Sequence, residues 1–186
     1  MNHLKTAIRF TLLMTLLLGL GYPLLVTALA QTFWRDNANG QLLTRNGQII
    51  GSSLIGQSFS APGYFHGRLS AVNYDAGTSG GSNLGPTSQK LIERIQAEAT
   101  KRQTENSTVA VPAELVTTSA SGLDPHMNPA AVEFQIPRVA RARAMNESDL
   151  RRLIAAHIEG RTFGWLGEPR INVLRLNLAL DELKTN

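Results

Sequence analysis

Residues 10–34, Phe-Thr-Leu-Leu-Met-Thr-Leu-Leu-Leu-Gly-Leu-Gly-Tyr-Pro-Leu-Leu-Val-Thr-Ala-Leu-Ala-Gln-Thr-Phe-Trp, contain no charged side chain, and the chain after Trp34 reads as water-soluble. A helix needs roughly 20 apolar residues to cross the hydrocarbon core of a bilayer, and this stretch supplies them. His3, Lys5 and Arg9 precede it, whereas Arg35 and Asp36 follow and nearly cancel. The positive-inside bias keeps residues 1–9 in the cytoplasm, spans the membrane with 10–34 and exports 35–186.

Two readings of the apolar stretch compete. Lys5 and Arg9, with Ala28-Leu29-Ala30 ahead of Gln31, fit a cleavable signal peptide, which would leave a secreted binding protein. The run is longer than a normal signal-peptide core of roughly 7–15 residues. Thr11, Thr15 and Gly19 stand four apart as a small-residue stripe, suited to close approach of another membrane helix. Phe33 and Trp34 fall where an interfacial aromatic belt is expected. Pro23 cannot donate to the Gly19 carbonyl and predicts a kink. Both readings export the remainder.

That remainder is long enough for one domain with its own core. The chain has 18 Lys and Arg against 14 Asp and Glu, and Lys5 and Arg9 lie before the anchor, so the exported part is nearly balanced. It shows no basic stripe or nucleic-acid motif, and no nucleic-acid partner is expected. Cysteine is absent, which excludes disulfides, thiol nucleophiles and thiolate metal sites.

Along the exported part, 42–45 and 48–50 flank Asn46-Gly47, a strong hairpin signal. Residues 60–86 form a loop rich in Gly, Ser, Asn and Tyr, of a length that often serves binding. Leu91, Ile95 and Ala99 mark an amphipathic helix from Thr87 or Ser88 to about Thr104. Val109–Val111 predicts a short strand. Asn128 and Pro129 open a helix that should break at Pro137 and resume through Arg143. Asn146 opens another, with Leu150, Leu153, Ile154, His157 and Ile158 on one stripe and Gly160 at its end. Leu174, Leu176, Leu178 and Leu180 alternate with Arg175, Asn177 and Ala179, which reads as a half-buried strand or one turning helical toward Asp181. The sum is an α+β domain behind a single N-terminal membrane helix.

The chemistry-bearing candidates each have a plainer reading. Ser79-Gly80-Gly81-Ser82-Asn83 runs into a helix start, where backbone amides can hold an anion. It lacks the Gly-Lys-Ser/Thr ending of a phosphate loop, and a tightly wound loop explains it as well. Asp124-Pro125-His126 supplies two metal-ligand types, but no third ligand has readable spacing, and a fixed turn is the alternative. Arg138, Arg141 and Arg143 offer a docking patch for an acidic partner or lipid headgroups, or a solvated face. Nothing in the residues forms a catalytic constellation, so a subunit is a more natural reading than an enzyme.

Six uncommon strings occur together and in order: 21–24 (GYPL), 51–57 (GSSLIGQ), 79–86 (SGGSNLGP), 121–126 (SGLDPH), 137–141 (PRVAR) and 166–174 (LGEPRINVL). Together they resemble the C subunit of the Kdp-type potassium-transporting ATPases over nearly the whole chain. The resemblance implies a retained single-pass anchor in the bacterial inner membrane and a periplasmic domain. It implies partnership with a potassium-binding channel-like subunit and a P-type ATPase subunit, and a non-catalytic role in assembling the pump.

It also implies a family role as catalytic chaperone that raises the ATPase subunit's affinity for ATP, with a glutamine, here Gln135, suggested as the nucleotide contact. ATP would then be the cofactor, reached through the complex. The charge asymmetry places Gln135 on the side of the membrane away from ATP, so any effect on ATP affinity would be indirect. For partner contact the expected residues are Ser79, Gly80, Gly81, Ser82, Asn83, Asp124, His126, Arg138 and Arg141, since loops carry binding more often than framework.

Overall fold

All of the uncharged stretch except Trp34 lies within one long helix in the computed structural model, which describes residues 2–183. The helix comprises α1 (Asn2–Met14), a wider turn at Thr15–Gly21 and α2 (Tyr22–Phe33). Its span His3–Phe33 counts 31 residues, and none of its most apolar window is buried by the rest of the chain. At the α-helical rise that is about 45 Å, more than the roughly 30 Å hydrocarbon core. The wide turn has π geometry, with the Tyr22 N–H reaching back five residues to the Leu17 carbonyl. It ends two residues before Pro23, whose ring would collide with the carbonyl four residues earlier in an unbroken α-helix.

Trp34 leaves the helical region at φ −138° and ψ 45°, and a single turn, α3 (Arg35–Ala38), follows. Gln31 and Asn39 exchange two side-chain hydrogen bonds across it, at 3.1 and 3.3 Å. The hairpin β1 (Leu42–Arg45) and β2 (Gln48–Ser52) turns at Asn46 (φ +52°) and Gly47 (φ +77°). These left-handed residues are what a two-residue hairpin of matching twist requires. The chain divides into two compact units after Ile50.

The second unit holds α4 (Gln89–Gln103), β3 (His126–Met127), α5 (Pro129–Glu133), α6 (Ile136–Arg143), α7 (Glu147–Ala156), β4 (Ile158–Glu159), β5 (Arg170–Asn172) and α8 (Val173–Leu183). Its small antiparallel sheet runs β3–β5–β4, with His126 opposite Asn172 and Ile158 opposite Ile171. Met127 and Ile171 join Val132, Ile136 and Val139 of the α5–α6 segment, Leu150 and Ile154 of α7, and Leu176 and Leu180 of α8 in one core closed by Phe65 and Leu115. The Asn128 side chain caps α5 by accepting from the Ala131 N–H at 2.7 Å, with Pro129 in the first turn.

Several sequence expectations are corrected. Val109–Val111 is not a strand. The break expected at Pro137 falls earlier, at Phe134 and Gln135, and Pro137 sits in the first turn of α6, where its missing N–H costs nothing. The α7 helix ends at Ala156 rather than Gly160, so Ile158 leaves the stripe and stands in β4. The leucine run is helix, not strand. Its buried positions 173, 174, 176, 177 and 180 follow the helical period, and Asn177, a polar residue at a core position, hid it.

Candidate functional site

The richest polar constellation surrounds residues 61–66, a short strap inside the long loop before α4 that begins with a turn closed by the Tyr64 N–H on the Ala61 carbonyl at 3.1 Å. Phe65 and His66 need backbone partners, because both are carried into the core region away from the sheet. Two buried amides supply them. Asn177 of α8 accepts from the Phe65 N–H and donates to the Phe65 carbonyl, both at 2.9 Å. Gln135, between α5 and α6, accepts from the His66 N–H at 2.8 Å and donates to the His66 carbonyl at 3.0 Å. Each side chain does for one residue what a neighbouring strand would do.

Gln135 is fully buried. Its amide nitrogen also reaches the Ala131 carbonyl at 3.1 Å, and its oxygen accepts a second bond from Arg138 at 2.6 Å. The remaining Arg138 donors go to the Pro62 and Tyr64 carbonyls and, at 2.8 Å, to Glu105. Arg143 donates to the Gly63 carbonyl at 2.6 Å, pairs with Asp181 at 2.8 Å and lies 4.6 Å from the centre of the Tyr64 ring. Arg141 is exposed and reaches back to the Pro137 and Glu105 carbonyls. Thus Arg138 and Arg143 face inward onto the strap, and Arg141 is the outward member of the arginine run.

The electrostatics follow the packing. Burial, reinforced by the Arg138 charge, lowers the His66 pKa to about 4. The neutral ring fits its contacts, with Nε2 against the Ala61 carbonyl at 3.1 Å and Nδ1 facing an Arg102 N–H at 3.2 Å. Burial alone would raise Glu105, but hydrogen bonds and charge from Arg138 and Arg102 outweigh it and hold the carboxyl below its usual range. A recess of about 310 Å³ opens beside this cluster, bordered by His66, Arg68, Tyr74, Lys101 and Arg102. Its guanidiniums are already engaged, Arg68 with Asp124 at 3.2 Å and Arg102 with Glu105 at 2.9 Å.

The two loop candidates from the sequence lie together. The Ser79 hydroxyl and the Gly80 N–H both donate to the Ser121 carbonyl, at 3.1 and 2.8 Å. Thr118 donates to the Ser82 hydroxyl at 3.3 Å, while Asn83 takes a left-handed φ of +51°. A Cβ at Gly81 would stand 2.9 Å from the Ala120 carbonyl oxygen, so the glycine permits the approach. Asp124 accepts from the His126 N–H at 3.0 Å and fixes the turn into β3. His126 lies between Asp124 and Glu159, each 3.8 Å away, and burial lowers its pKa although both carboxylates oppose the shift. Among the described residues no group of three His, Asp or Glu is placed to hold a metal ion.

Gln135 and the strap share one cluster with Arg138. The 79–83 and 121–126 loops form another, linked to it through Arg68. Thr15 and Gly19 are neighbours along the first unit's helix, where a Cβ on Gly19 would meet the Thr15 methyl at 3.8 Å. Sequence reasoning missed Asn177, His66 and Glu105 in the cluster. Only Asn177 carried a usable signal, its place in the 173, 176, 177, 180 spacing.

The architecture is one helix of membrane-spanning length followed by a small α+β domain, consistent with a single-pass membrane protein. The chain belongs to the KdpC family, whose model, described as the c chain of a K+-transporting ATPase, matches residues 4–182. It is 55% identical over 182 residues to a potassium-transporting ATPase KdpC subunit of Koribacter versatilis, covering 97% of this chain and 94% of the relative. It is 52% identical to one of Acidobacterium capsulatum, covering 98% and 100%, and 49% identical to one of Rhodopseudomonas palustris, covering 99% and 100%. Family membership implies other Kdp subunits as partners.

Proposed function

We propose that this chain is a non-catalytic accessory subunit that assembles and stabilises an ATP-driven potassium pump. Its helix packs among the other membrane helices through the face bearing Thr11, Thr15 and Gly19, and its domain faces the periplasm against the potassium-conducting subunit. The observation that carries the reading is the inward commitment of the conspicuous polar groups. Asn177 spends its hydrogen bonds on the strap, and Gln135 and Arg138 spend theirs on the strap, on each other, on the Ala131 carbonyl and on Glu105. A direct ATP contact through Gln135 would require dismantling that network. An influence on the ATPase subunit's nucleotide affinity would therefore travel as a coupling between distant sites.

Replacing Gly19 with leucine should lower recovery of the assembled complex on a tagged ATPase subunit, and unchanged recovery defeats the assembly role. Because the chain lacks cysteine, a Glu133→Cys variant reports orientation cleanly from an exposed position. An impermeant thiol reagent should label it on right-side-out spheroplasts, and labelling confined to inverted vesicles reverses the topology. Intact-mass measurement of the membrane-extracted chain separates a retained anchor from cleavage after Ala30.

A further inference from the structure

The β4–β5 hairpin ends in a tip whose large apolar side chains face solvent. Phe163 is 84% exposed, Trp165 71% and Leu166 50%. Three such residues side by side present roughly 400 Å² of apolar surface, the size of the largest patch on a typical monomer, which is often functional. The tip is also held in one shape. Thr162 and Leu166 exchange two backbone hydrogen bonds of 2.9 Å, the Gly164 N–H donates to the Arg161 carbonyl at 3.0 Å, and Arg161 pairs with Glu168 at 2.7 Å across the base.

Phe163 sits at φ +55°, beside Gly164 at +81°. A bulky residue in the left-handed region is uncommon, and a turn needing only closure would place glycine or asparagine there. The side chain is thus kept at a position that disfavours it.

We infer that Phe163, Trp165 and Leu166 form a docking knob that enters an apolar pocket on the potassium-conducting subunit of the same complex. This rests on the accessory-subunit reading above. A rigid aromatic anchor loses little freedom on binding, and tryptophan is enriched among residues that dominate interface energetics. The charge balance favours a protein pocket over a bilayer. Residues 160–169 contain one cation and one anion, Arg161 and Glu168, paired with each other, and the neighbouring Arg170 pairs with Glu159 at 3.2 Å. A loop that inserts among anionic headgroups gains from unpaired Lys or Arg, and this one offers none. A second copy of the chain is disfavoured by area. Two tips meeting would bury about 800 Å², short of the roughly 1,200 Å² of a stable interface. A subunit already tethered in the same membrane needs less contact area, because tethering raises the effective concentration.

The test uses the full-length chain co-expressed with the other pump subunits. A Phe163→Ser/Trp165→Ser variant should co-purify with a tagged potassium-conducting subunit on the order of tenfold less than the parent. Its thermal melt should match the parent's, and Trp165→Phe should restore recovery. A serine variant recovered within about twofold of the parent overturns the knob. Failure of the parent itself to co-purify overturns the accessory-subunit reading instead. In a Trp34→Phe background Trp165 is the sole tryptophan of this chain, and with 5-hydroxytryptophan incorporated into this chain alone before mixing with unlabelled partner subunits its emission should shift to the blue in the complex. An equal shift in vesicles holding the chain alone assigns the tip to the bilayer and overturns the proposal.

Discussion

Gln135 and His66, 69 residues apart in sequence, exchange two hydrogen bonds in which the glutamine amide stands in for a neighbouring strand. Gln135→Ala removes a fully buried side chain and strands the His66 N–H and carbonyl together. The expected loss is about 2–4 kcal/mol of domain stability, read by urea titration of the full-length chain in detergent. If the melt is unchanged while nucleotide dependence of the pump shifts, the glutamine serves a ligand rather than the fold.

Asn177 makes the same pair of bonds to Phe65 from the opposite element. Asn177→Leu keeps the number of side-chain heavy atoms and does not lower the helical propensity of α8, but it leaves two buried backbone groups without partners. A loss of about 2–3 kcal/mol is expected. Combined with Gln135→Ala, it should cost less than the two single losses added, because both side chains hold the same strap. Simple additivity in a double-mutant cycle would show that Phe65 and His66 are secured independently.

Acid should weaken the domain in two stages. His66 titrates near 6.5 when unfolded and near 4 when folded, so between these values the unfolded chain binds the proton and the folded one does not. Stability is therefore complete above about pH 6.5, falls as the pH drops toward 4, and gains no further loss from this residue below that. His126, also lowered by burial, acts in the same direction. Glu105 has the opposite charge type and a depressed folded value, so its contribution is present above 4.5 and disappears as the pH falls through its folded pKa. His66→Gln should flatten the slope between pH 6.5 and 4 in melts across that range. An unaltered slope would assign the loss to other groups.

Gly122 has φ +71°, and a Cβ there would lie 2.5 Å from the Val72 side chain and 2.9 Å from the Gly80 carbonyl oxygen. Gly122→Ala therefore forces the 79–83 loop away from 118–122. A cost of about 2 kcal/mol and faster proteolysis within residues 70–86 are expected. Wild-type resistance to limited proteolysis would mean that the loops do not depend on this contact.

What was legible in the sequence was local. Asn46-Gly47 announced the hairpin, Asn128-Pro129 the start of α5, and the apolar spacing of α4 its extent, because each signal and its consequence lie within a few residues. The leucine run from 174 to 180 defeated the same logic. Leucine at every second position satisfies a strand's alternation, while the true buried face used Val173, Leu174, Leu176, Asn177 and Leu180 and left Leu178 off it. The break before α6 was displaced by two residues because proline is welcome in a first turn, so Pro137 marked a start rather than an end. Apart from the helical spacing of Asn177, the two amides' hold on Phe65 and His66 had no local trace. Gln135 and Asn177 meet residues 69 and 112 positions away, and a buried amide looks like any surface amide until its partner is known. Arg138 and Arg143 read as a basic run because their acceptors, the carbonyls at 62–64, belong to a distant loop.

The π turn at Thr15–Gly21 has a further consequence for the N-terminal helix. Accommodating one extra residue in a turn rotates everything beyond it by roughly 100° about the axis. A wheel drawn straight from Lys5 to Trp34 therefore assigns the wrong neighbours to Val26 and Leu29, and the two halves of the helix point their faces in different directions. Removing one residue between Thr15 and Gly21 would bring both halves back into phase, swinging Phe33 and Trp34 to a new bearing without altering a single side chain among them.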